Sequence, residues 1–132
     1  MSSQIFNLLI FDKLKNFKRV NKKRKLVFYK NYFETFFDNQ TLKVQKKVLW
    51  TLKIIEEIEH IPEIYLRYLK NTSGLYEIKV QVGNNIYRIF CFFDKDNLVI
   101  IGHGFQKKRQ KTPKEEIAKA EQIKNEYYGN KK

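Results

Sequence analysis

Cysteine and histidine are scarce in this chain, and their scarcity removes two classes of chemistry. A single cysteine, Cys91, excludes an internal disulfide, and with only His60 and His103 beside it a zinc site of standard spacing is excluded too. Cys91 is read as a small buried hydrophobe, which fits a reducing compartment. Long hydrophobic runs are also missing. IFNLLIF, Ile5 to Phe11, is apolar but far too short to span a bilayer, and no basic segment precedes it. No membrane partner is expected, and the protein is expected to be cytoplasmic. Acidic residues are outnumbered: 14 Asp and Glu against 27 Lys and Arg leave a formal charge of +13. Such an excess suits nucleic acid, an anionic membrane or an acidic protein, and its sign alone does not separate them.

What is present is a globular pattern. The 132 residues, 42% apolar and 15% aromatic, bound one domain able to bury a core between layers of secondary structure. Met1 to Arg24 reads as a basic N-terminal extension, either solvated or an arm adding electrostatic contact with RNA, and residues 25–132 as the folded domain. KLVFYK, from Lys25, has the composition of a strand. NYFETFF reads as a short helix. In TLKVQKKVLWTLKIIEEIE, Thr41 to Glu59, the residues Val44, Val48, Leu52 and Ile55 recur at helical spacing with Leu49 widening the stripe, and Trp50 is read as core. Pro62 ends this region, and IPEIYLRYL reads as a helical or irregular piece.

Period two takes over at Leu75. LYEIKVQV, IYRIFCFFD and LVIIGHGF form three strands joined at GNN and KDN, an antiparallel meander. A two-residue turn at Asn84 and Asn85 would set Gln81 opposite Arg88 and Lys79 opposite Phe90. Tyr76, Ile78, Val80, Tyr87, Ile89 and Cys91 then form an apolar face for the helices. A three-residue loop would bring Arg88 beside Val80 in the core, at a cost of several kcal/mol. The other face presents Glu77, Lys79, Gln81 and Arg88 mixed with Phe90 and Phe92. A last helix opens with Thr112 as N-cap, Pro113 at the first helical position and Glu115 completing a capping box.

The run from Gly74 to Tyr128, with YRIFCFF, GFQKK and KTPKEEI in that order, resembles the phage-derived branch of the RelE/HigB toxin superfamily. FYKNYFETFF, KVQKKVLWTLKIIE and IPEIYLRYL look like its N-terminal half, so the resemblance covers about Lys25 to Tyr128. It implies an α+β, RelE-like fold: a twisted antiparallel sheet, two N-terminal helices packed on one face, and a C-terminal helix. It also implies the toxin of a type II toxin–antitoxin system, an mRNA endonuclease acting in the ribosomal A site, with a cognate helix-turn-helix antitoxin as partner and no cofactor. Lysine stands at position 79 where the family more often has arginine, and Arg109 where it more often has threonine.

RNA carries its own nucleophile, the 2′-hydroxyl, so cleavage needs a base, a cation for the phosphoryl charge and an acid for the 5′-oxygen, and no metal. Arg88, expected to emerge from the sheet toward solvent on the same side as Lys79, is the candidate phosphate clamp, since guanidinium is planar, forked and permanently charged. Its plainer reading is a cross-strand pair with Glu77 or Gln81. Lys79 is the candidate base or second cation, and neighbouring charge from Arg88 and Lys107 would favour its neutral form. Lys107 completes the catalytic set with His103, which reads equally well as a structural histidine. Gln81, Gln106, Lys108, Arg109 and Lys111 are candidate RNA contacts beside them. Phe90 and Phe92 either stack on an unpaired base or pack under the C-terminal helix. Two other readings stand beside the nuclease: a non-catalytic RNA- or ribosome-binding protein, and a basic module docking an acidic partner.

Overall fold

The change of period along the chain is where helices give way to strands. The structure, a computed structural model, describes residues 23–107 and 113–131, with residues 102–107 described by their backbone alone. Its elements run β1 (Lys25–Phe28), α1 (Tyr32–Asp38), α2 (Leu42–Glu57), β2 (Leu66–Tyr68), β3 (Leu75–Val82), β4 (Asn85–Asp94), β5 (Asn97–Lys107) and α3 (Lys114–Asn130). This is the expected α+β, RelE-like architecture. Among the described residues no helix is long and apolar enough to cross a membrane.

Helix α2 starts where the hydroxyl of Thr41 accepts from the Val44 N–H, relieving one of the unpaired donors of the first turn. The stripe of Val44, Val48, Leu49, Leu52 and Ile55 is buried as its spacing predicts. Its far end is closed from outside the helix. The guanidinium of Arg24 donates to the carbonyls of Ile58 at 2.7 Å and Glu59 at 2.9 Å, and also to that of Ile55. A cation there meets both the orphan carbonyls and the negative end of the helix dipole.

The five strands lie in the order β1-β5-β4-β3-β2. All neighbours are antiparallel except β1 and β5, which pair in parallel because the intervening elements supply the long crossover that parallel pairing needs. Helices α1 and α2 cover one sheet face through Phe33, Phe37, Val48 and Ile55 against Ile78, Ile89 and Ile100. Helix α3 covers part of the other, setting Ala120 and Ile123 over Leu75, Phe90, Phe92, Val99 and Ile101. The sheet is thus a middle layer, and its second face divides into an apolar half under α3 and a polar half toward the β3–β4 turn.

Three local expectations are corrected. IPEIYLRYL contains strand β2, entered by a turn in which the Tyr65 N–H donates to the Pro62 carbonyl. The β3–β4 turn is made by Gly83 and Asn84, not Asn84 and Asn85: Gly83 has φ +61°, which glycine adopts without strain, and Val82 pairs with Asn85. Helix α3 begins at Lys114 with Pro113 in extended conformation at the cap position, so proline precedes the first helical residue. Thr112 lies outside the described residues.

Candidate active site

Moving the turn by one residue slides β4 along β3 by two positions and leaves every residue on the face expected of it. The pairs across the second face become Leu75–Phe92, Glu77–Phe90, Lys79–Arg88 and Gln81–Ile86. Arg88 therefore faces Lys79 and not Gln81. On its other side the β4–β5 register pairs Arg88 with Phe105 and Ile86 with Lys107. His103 lies in the irregular stretch of β5 between Ile100 and Gly104, where the register shifts, and Gln106 pairs with Tyr87. The backbone thus gathers Lys79, Arg88 and Lys107 onto three adjacent strands within two residue pairs of one another.

Two cations directly opposite each other repel, so something must hold Arg88. That group is Glu77, one diagonal step along β3. Its carboxylate has no exposed surface; Oε1 accepts from Arg67 Nη2 at 2.6 Å and lies 3.3 Å from Arg88 Nη1. Arg67 is the direct register partner of Glu77 on β2. A buried carboxylate thus bridges guanidiniums from two flanking strands, with a net charge of +1. Arg88 is only 7% exposed, which overturns the expectation that it emerges freely into solvent; the cross-strand pair with Glu77 is the reading observed. Burial pulls its affinity for the proton below the ordinary arginine value, Glu77 opposes that, and Arg67 adds to it. The Arg88 Nε–H finds no hydrogen-bond partner among the described residues.

The remaining candidates separate cleanly. Lys79 is half-buried and Gln81 exposed. Phe90 and Phe92 are both fully buried under α3, with the Phe92 ring 5.2 Å from Tyr127 and 5.5 Å from Tyr128. Packing under the C-terminal helix is what is observed for them, and neither offers a face to a base. Lys108, Arg109 and Lys111 lie outside the described residues. Cys91 is buried and its thiol is pushed well up by that burial, first, and by Glu77, so it is no nucleophile.

Trp50 is corrected as well: it is 45% exposed, with Lys47 Nζ 4.2 Å above its ring and Tyr65 edge-on at 5.8 Å. Helical phase already separates it from the buried stripe, for Lys43, Lys46, Lys47 and Trp50 follow i, i+3, i+4, i+7 spacing on the opposite face. Arg67 is not legible as a site residue in the sequence, because the three residues of β2 are too few to set a strand period.

A sequence model of the family described as Phage derived protein Gp49-like matches residues 35–125, well over half of the chain. The chain belongs to this family. The Gp49-like proteins are part of the RelE/HigB-like toxin superfamily, so the chain is a toxin-like protein, and such a protein implies an antitoxin partner. No curated protein matches the chain. The Gp49-like match runs from the middle of α1 through most of α3 and so contains the whole Arg67–Glu77–Arg88 bridge.

Proposed function

We propose that this Gp49-like chain is the toxin of a toxin–antitoxin pair and a metal-independent endoribonuclease that cleaves mRNA on the ribosome. The observation that carries the reading is the placement of Lys79 directly across from Arg88, beside the β5 end that bears Lys107, on the part of the sheet face outside the apolar cluster under α3. Like charges opposed across a ladder are unfavourable on their own and become useful when a phosphodiester lies between them. Glu77 makes the arrangement switchable. Arg67 holds it by the shorter contact, so Arg88 can exchange its 3.3 Å partner for a phosphoryl oxygen without stranding a buried carboxylate. Lys79 then serves as base or second cation for the 2′-hydroxyl, and Lys107 and His103 are the candidates to protonate the leaving oxygen. RNA products with 2′,3′-cyclic phosphate and 5′-hydroxyl ends follow from that chemistry.

The burial of Arg88 also favours a second reading, an RNA- or ribosome-binding protein that does not cleave. Purified ribosomes programmed with a defined mRNA separate the two. The wild-type protein is expected to cut and to leave cyclic phosphate ends, the signature of 2′-hydroxyl attack. Arg88→Ala and Lys79→Ala are each expected to cut at least about a hundredfold more slowly while retaining RNA affinity within about tenfold. Ribosome binding without any cut supports the second reading, and cutting that survives both substitutions removes this site.

A further inference from the structure

The side of α2 that faces away from the core carries a second constellation. Lys43, Lys46, Lys47 and Trp50 share one helical face, and that face forms a wall of a groove of about 520 Å³ whose floor is Gln81, Val82 and Gly83 from the β3–β4 hairpin. A neighbouring depression of about 260 Å³ continues it past Thr51 to Ile64, Tyr65 and Lys79. Lys47 and Gln81 line both, so the two are one track. Strand β2 ends the sheet beside Tyr76–Ile78, and past the bond from Lys79 N–H to the Tyr65 carbonyl the outer edge of β3 opens onto this track.

We propose that this groove binds single-stranded RNA, seating phosphates on Lys43, Lys46 and Lys47 and stacking a base on Trp50. Three lysines along one helix face supply the spaced positive charge that a backbone follows, and an exposed indole supplies a platform that accepts any base. The Trp50 ring is already held on edge by Tyr65, which fixes its plane before a ligand arrives. The cation over that ring is Lys47, which can move to a phosphate as the base takes its place. Duplex RNA offers no free base face to a lone indole and is disfavoured. Lys79 and Gln81 belong to the track and also to the candidate active site, so a strand lying in the groove is led toward Arg88. The inference rests on the proposed function only in taking RNA as the ligand.

Trp50 is the chain's one tryptophan, so its emission reports this groove alone. A 2′-O-methyl oligonucleotide of about eight nucleotides, which no 2′-hydroxyl chemistry can cut, is expected to quench it on binding, with duplex RNA giving little change. By anisotropy, the triple substitution Lys43→Gln, Lys46→Gln and Lys47→Gln is expected to weaken the oligonucleotide about tenfold or more and to make the slope of log affinity against log salt shallower by about 2. Trp50→Ala is expected to weaken it at least about fivefold. All four positions are on the surface, and Lys43→Gln alone provides a gentler variant. Binding with unchanged emission and unchanged affinity in these variants overturns the groove while leaving the nuclease reading intact. Poly-glutamate quenching Trp50 where the oligonucleotide does not makes the groove a protein-docking surface and overturns the RNA assignment. Groove binding by a protein that never cuts on the ribosome removes the nuclease and leaves the groove.

Discussion

Glu77 has no exposed surface, and the guanidiniums that hold it arrive from strands on either side, Arg67 from β2 and Arg88 from β4. Removing either arginine still leaves the carboxylate one partner. Removing the carboxylate leaves two cations facing each other with Lys79 close by. Glu77→Gln is therefore expected to lower stability by about 3 kcal/mol, the scale for breaking a buried pair. Arg67→Ala, at a side chain 47% exposed, is expected to cost about 1 kcal/mol. Urea unfolding midpoints compare them directly, and equal costs would mean that Glu77 does not order Arg88. In the sequence, Glu77 and Arg88 are legible as a cross-strand pair because both lie on the polar phase of their strands. The depth of their burial is not, since it depends on how far α3 and the flanking strands reach over the face, which no local pattern encodes.

At the scale of elements, one buried carboxylate of the sheet takes two of the bonds that fasten the far end of α3. Asp94, at the end of β4, accepts from the Tyr127 hydroxyl at 2.7 Å and from Lys131 Nζ at 2.5 Å. Hydrogen bonding from Lys131, then from Tyr127, holds the Asp94 carboxyl below the usual carboxylate range, and the same bond raises the Tyr127 hydroxyl to about 12. The signs oppose. A depressed carboxylate contributes stability above its unfolded value of about 4 and loses it as pH falls through the folded one; a raised phenol contributes below about 10 and loses it as pH climbs toward 12. Thermal midpoints are expected to decline on both flanks, and Asp94→Asn to flatten both. Some acid dependence survives in the variant, because Lys30 holds Glu126 low as well. An unchanged alkaline flank in Asp94→Asn would show that the bond does not set the tyrosine. None of this contact is visible in the letters, for Asp94 reads only as the start of a turn. The elements themselves were largely legible: the α2 stripe, the short α1 and the three long strands each follow a period that backbone geometry imposes. The hairpin register was missed by one turn position because Gly83 and the two asparagines all accept turn conformations, and only the pairing of whole strands chooses among them. β2 was missed because three residues are too few to establish a period.

Over the whole molecule the +13 charge is unevenly laid out, and α2 makes the unevenness measurable. Its first turns carry Lys43, Lys46 and Lys47, while Glu57 and Glu59 stand at its other end with Glu63 in the following turn. At about 1.5 Å per residue the two ends of this 16-residue helix are about 24 Å apart, two to three Debye lengths at physiological salt. Lys23 and Arg24 join the fold at the acidic end: the Lys23 N–H donates to the Glu56 backbone carbonyl at 2.8 Å and the Arg24 guanidinium to the Glu59 backbone carbonyl at 2.9 Å. Residues 1–22, with Lys13, Lys15, Lys18, Arg19 and Lys22, lie outside the described residues and are attached to the fold at this acidic end. Deleting residues 1–22 is expected to leave the salt slope of oligonucleotide binding within about one unit of the full chain, and the Trp50 quench unchanged. Were the extension an arm that lays its five cations on the RNA, the slope would become shallower by about 3.5, at about 0.7 per phosphate contact on a single strand. Titrations of both chains at several salt concentrations decide between a solvated extension and an RNA-binding arm, because the two outcomes differ by more than the error of such a slope.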